Sequence, residues 1–109
     1  MTELIKTVTT VVGEEYGRAV AKFGPTNNSD HESYGILLEE LEEASEELRL
    51  CSSALERVWQ LIKKNMIDSE KLKSLNLVYQ NALLGACELI QVAAMAYKAQ
   101  KTIEERNQK

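Results

Sequence analysis

The sequence predicts an all-α fold: a helical bundle with long antiparallel helices, completed by oligomerisation. Three observations carry this. One proline and five glycines in 109 residues leave few breaks in the chain. Apolar residues recur at spacings of three and four along most of it. Residues that cap or end helices gather at only two places, near 24–30 and 65–69. The length allows a single domain, 1–109, and 44% apolar with 28% charged residues is ordinary globular composition.

The elements follow in order, three to five helices in all. Thr2–Phe23 starts with Thr2 as N-cap and places Leu4, Val8 and Val11 on one stripe. Its β-branched run Thr7–Val12 also suits a strand. Gly24 and Pro25 end it. Ser29 or Asp30 caps the next segment, with Glu32 at capping-box spacing from Ser29. There Leu37, Leu41, Ala44 and Leu48 define a predicted buried stripe. The pattern runs on through Cys51-Ser52-Ser53, a place that admits a kink, into Leu55, Val58, Trp59 and Ile62. Lys63, Lys64 and Asn65 suit a helix end. The last segment starts at Asp68 or Ser69 and continues to Arg106. Unbroken, it reaches on the order of 55 Å, against about 26 Å for a compact monomer. A second subunit, in a homodimer or homotetramer, is therefore expected beside it.

A net charge of −4 and a pI near 5.1 argue against nucleic acid as a partner. Cys51 and Cys87 lack CxxC spacing and read as free thiols in a cytoplasmic protein. The N-terminus has no signal-peptide pattern. The apolar run Ala82–Ala96 is shorter than the roughly 20 residues a bilayer requires and contains Glu88 and Gln91, so no membrane is expected. A helix buried on most faces is the reading instead.

Acidic residues are distributed unevenly. Six of the nine residues from Glu39 to Glu47 are glutamate, whereas Glu88 is the single charge between Ser74 and Tyr97. On a helical wheel Glu39, Glu42 and Glu46 lie opposite the leucine stripe and belong to solvent. Glu40, Glu43 and Glu47 lie beside it. Glu40 and Glu43, three apart, project from adjacent turns on one face. Like charges so placed repel, and a hard cation such as Mg²⁺ relieves the repulsion. The nearest basic residues along the chain from Glu88 are Lys73 and Lys98. An ionised carboxylate in such apolar surroundings calls for a counter-charge, hydrogen bonds or a metal. Gln91, one turn later, adds an amide oxygen. Asn81 and Lys98 share or flank that face as candidate polar walls of a pocket, and Met95 reads as core. Antiparallel helices bring such sites together in bundles.

His31-Leu48 (HESYGILLEELEEASEEL) and Glu88-Ala96 (ELIQVAAMA) together resemble the MazG-like, all-α nucleotide pyrophosphohydrolases, in particular the short bacterial and phage type. The family pattern is a Glu-x-x-Glu pair and a later Glu-x-x-Asp pair that hold Mg²⁺ at the phosphates of a nucleoside triphosphate. Glu40 and Glu43 match the first pair and Glu88 opens the second, with Gln91 where the family has aspartate. The spacer between the pairs is long, and Ala54–Lys64 reads as an added helix. The resemblance implies hydrolysis of an NTP or dNTP to the monophosphate and pyrophosphate. It implies Mg²⁺, or Mn²⁺, at Glu40, Glu43, Glu88 and Gln91, with Glu43 or Glu47 as the base that accepts the water proton. Asn81, Lys98 and His31 are candidate substrate contacts, although a surface or capping role is the simpler reading of His31. Arg18 and Lys22 suit phosphate contacts or a solvated face equally. Trp59 and Tyr79 read as core or interface. The rival reading is a non-catalytic helical interaction, assembly or nucleotide-binding module on the same scaffold, motivated by Gln91 and the long spacer.

Overall fold

The computed structural model describes residues 1–108. Three helices account for nearly all of them: α1 (Thr2–Phe23), α2 (Asp30–Lys63) and α3 (Asp68–Asn107), with no strand among the described residues. The all-α class is the one the periodicity predicts.

The β-branched run in α1 is helical. The hydroxyls of Thr7, Thr9 and Thr10 donate to the carbonyls four residues back at 3.1, 2.7 and 3.1 Å, so these side chains satisfy themselves within the helix. Met1, rather than Thr2, occupies the N-cap position. Gly24 closes α1 at φ 91°, and its N–H donates to the Val20 carbonyl at 2.8 Å.

At the start of α2 the Glu32 N–H donates to Ser29 Oγ at 3.1 Å. The Glu32 carboxylate accepts from the Asn28 N–H and side-chain amide, at 3.3 and 3.1 Å, instead of returning to Ser29. The helix runs through Cys51-Ser52-Ser53 without interruption, and residues 54–63 are the end of α2, not an added helix. No glycine or proline stands between residues 36 and 84, so nothing in that stretch interrupts the backbone ladder. Asn65, at φ 50°, makes the turn into α3.

The chain forms two compact units. The first comprises Met1–Leu41 and the chain from Glu88 onward. Ala94 is fully buried there, and Tyr16 meets Tyr97 edge to face at 4.7 Å. A polar clasp holds the loop after α1. The Asn27 N–H donates to Thr102 Oγ1 at 3.0 Å, Thr102 donates to the Lys98 carbonyl at 2.9 Å, and the Asn27 amide donates to Ser33 Oγ at 2.8 Å. Arg106 pairs with Asp30 at 3.0 Å across the same end.

The second unit, Glu42–Cys87, is a helical hairpin. Its buried residues are Ala44, Ala54, Val58, Leu61 and Ser74. Cys51 donates weakly to the Val78 carbonyl at 3.7 Å, and both cysteines are free thiols. The predicted stripe is corrected here. Ala44 is buried, but Leu41 and Leu48 are exposed, and the inward line on α2 passes through Ala44, Glu47, Cys51, Ala54, Val58 and Leu61. Similarly, Leu83, Leu84 and Leu89 on α3 are half exposed, so that helix is not buried on most of its faces within the chain. By length and composition alone α3 is also apolar enough to cross a bilayer.

Gly85 lies inside α3, and a methyl added there meets Glu47 Cβ at 3.5 Å, an ordinary contact. Gly85→Ala is therefore expected to stabilise the protein by about 0.5–1 kcal/mol, through lower unfolded-state entropy and higher helix propensity. A thermal melt that is unchanged or lowered would contradict this.

Candidate metal centre

Three glutamates converge. Glu40 and Glu88 belong to the first unit, and Glu43 is the next turn of the uninterrupted α2. One carboxylate oxygen from each lies within 4.8 Å of the others. Glu40 and Glu88 are partly buried and Glu43 is exposed, so the group opens to solvent on the Glu43 side. Glu39, Glu42 and Glu46 are exposed, in agreement with the wheel.

The donor set suits a hard divalent cation. It offers only carboxylate oxygens, the ligand type such an ion takes. Mn²⁺ has similar requirements. Glu47 follows Glu43 by one turn and is half-buried; its Oε2 is enclosed and has no hydrogen-bond partner.

Gln91 also makes a long-range contact: its amide nitrogen donates to Glu15 Oε2 on α1 at 2.6 Å. Glu15 was not singled out by the sequence, because its partner lies 76 residues away; the only local signal was Arg18 one turn on. Arg18 binds the same carboxylate through Nε, at 2.9 Å, and Nη2. Arg18 is thus held in an ion pair, not left as a free phosphate contact. The Arg18 guanidinium and then the Gln91 amide hold the Glu15 carboxyl below the usual carboxylate range. A depressed folded-state value contributes stability that is present above the ordinary carboxylate pKa and is lost as pH falls through the lowered one. Glu15→Gln is accordingly expected to lower the melting temperature at neutral pH, with the difference from wild type vanishing in acid. A deficit that persists unchanged at low pH would refute this assignment.

Glu15, Arg18, Lys22, Phe23, Gln91 and Met95 line an open hollow of about 210 Å³ in the first unit. Lys98 is only 3% exposed and sits with its ammonium 5.8 Å from the Phe23 ring. Of the other candidate contacts, Lys98 stands about 15 Å along α3 from Glu88, and Asn81 about 10 Å from it in the other direction. His31 is exposed in the first turn of α2, about 13 Å along that helix from Glu40. The fold thus joins Glu40, Glu43 and Glu88, and puts Asn81, Lys98 and His31 at other levels of the helices. Trp59 and Tyr79 are exposed, not core.

Compared with protein-family models, curated proteins and solved structures, the chain has no significant match.

Proposed function

We propose that this protein is a Mg²⁺-dependent nucleoside triphosphate pyrophosphohydrolase, converting an NTP or dNTP to the monophosphate and pyrophosphate. The observation that carries the reading is the convergence of Glu40, Glu43 and Glu88 within 4.8 Å. The resemblance of the two glutamate blocks to MazG-like enzymes selects phosphate chemistry among the uses of such a site. Glu40, Glu43 and Glu88 would hold the cation. Bound there, Mg²⁺ supplies charge neutralisation for the phosphate oxygens and acidifies a water.

The chain's own groups do the rest. The carboxylates would orient that water, and Glu47, one turn beyond Glu43 on α2, would accept its proton. Glu43, at the open side of the group, is the second candidate base. The water oxygen bonds to the α-phosphorus while the bond to the bridging oxygen breaks, and pyrophosphate leaves.

A second reading, nucleotide or metal binding without turnover, is favoured by one observation: the Gln91 amide is committed to Glu15, and it brings no charge to the cluster. Pyrophosphate release from a panel of NTPs and dNTPs with Mg²⁺ or Mn²⁺ separates the two. Turnover lost in Glu40→Gln supports the enzyme. Cation or nucleotide binding by calorimetry without turnover supports the binding protein, and neither binding nor turnover removes both readings.

A further inference from the structure

Basic side chains gather at the hollow of the first unit, in a chain that carries 17 acidic and 13 basic residues overall. Arg18, Lys22 and Phe23 line it from α1, and Gln91 from α3. Arg18 and Lys22 stand four residues apart, so the last two turns of α1 place them on one face. Phe23 brings in a third cation. The Lys22 ammonium lies 5.1 Å from the centre of its ring, and the Lys98 ammonium 5.8 Å.

Two of these charges lack an anion. The carboxylate of the hollow, Glu15, already accepts from Arg18 and from the Gln91 amide, and Arg18 cancels its charge. Lys6, Lys71, Lys73 and Lys101 each meet a carboxylate three residues away. No acidic residue stands three or four residues from Lys22 or Lys98. Among the described residues neither has a carboxylate partner from elsewhere in the chain. Lys22 is exposed and keeps its water. Lys98 is 3% exposed, and a ring face replaces only part of the hydration that its ammonium has lost.

We propose that this hollow is a binding site for a phosphate dianion, held between the ammoniums of Lys22 and Lys98. The two unmatched charges fit a dianion, where a single carboxylate would answer one of them. Like charges gathered at one ring repel, and a dianion between them turns that repulsion into attraction. Lysine binds phosphate as a point charge and needs no planar fork. The site works without metal, unlike the glutamate centre, from which Lys98 is about 15 Å distant along α3. Free phosphate or pyrophosphate carries the required chemistry. So do the terminal phosphates of a nucleotide held at the glutamates, a source that rests on the proposed function.

Calorimetric titration of the full chain with pyrophosphate, in chelator and at low salt, tests the site without drawing on a cation or on turnover. Binding is expected, at least about 10-fold weaker in Lys98→Met and about 5-fold weaker in Lys22→Met, and weaker as salt is raised. Lys101→Met, which removes a lysine paired with Glu104, should bind as wild type does. Circular dichroism reports folding, and where Lys98→Met does not fold, the exposed Lys22→Met decides. Wild type that fails to bind below about 1 mM overturns the inference. So does a folded Lys98→Met of unchanged affinity, an unchanged Lys22→Met where that variant decides, or a Lys101→Met that loses as much as the variant that decides. Titration of nucleoside triphosphates in Mg²⁺ separates the sources. Affinity lowered by the same variants assigns the hollow to the nucleotide's terminal phosphates, and unchanged affinity assigns it to the free anion. A chain that binds pyrophosphate in chelator but releases none from any triphosphate keeps this site and loses the proposed activity.

Discussion

Glu88→Gln is expected to lower divalent-cation affinity about 100-fold and to abolish Mg²⁺-dependent pyrophosphate release. Glu40, Glu43 and Glu88 bring their carboxylate oxygens within 4.8 Å of one another. The amide is nearly isosteric, but a neutral oxygen is a poorer ligand for a hard ion than a carboxylate. On the proposed function, wild type at a cation concentration 100 times its Kd gains about 2.7 kcal/mol, or roughly 10 °C for a domain of this size. The variant should show almost none of that gain. Melts in chelator and in Mg²⁺, run side by side, read the difference. An equal Mg²⁺ response from both proteins would remove Glu88 from the centre.

Ala94→Asp is expected to cost more than about 3 kcal/mol and to lower the melting temperature by more than about 10 °C. Ala94 is fully buried in the first unit, and the buried cation on α3, Lys98, lies one turn on with its ammonium over the Phe23 ring. A carboxylate there loses its water and gains no established partner. Ala94→Gly separates this cause from simple loss of helix, since it should cost only about 1 kcal/mol. If Asp and Gly cost the same, Ala94 is not the enclosed position the fold makes it.

Much of the site was legible before the fold. Glu40 and Glu43 stood out because three residues of helix place two side chains on one face, a property of α geometry alone. Glu88 stood out because it is the one charge in a long apolar stretch. The Gln91–Glu15 bond was not legible, because 76 residues separate its ends and neither shows a local pattern. Nor was it legible that residues 54–63 end α2 and form no added helix. Serine pairs weaken a helix only slightly, and tertiary contacts on Ala54 and Val58 outweigh that preference.

The division between sequence and tertiary structure is clearest on α2. Its apolar residues form two lines, one through Ala44, Ala54, Val58 and Leu61, the other through Leu41, Leu48, Leu55 and Ile62. Periodicity by itself determined that this segment is a helix, that Glu39, Glu42 and Glu46 face water, and that Glu40 and Glu43 share a face. The core stripe it predicted, Leu37, Leu41, Ala44 and Leu48, took members from both lines, because leucine buries more apolar area than alanine. Only the tertiary structure decided that the alanine line faces inward and that Glu40 comes to Glu88. Small side chains let two helices of one chain approach closely, and the larger leucines are left on the outer face.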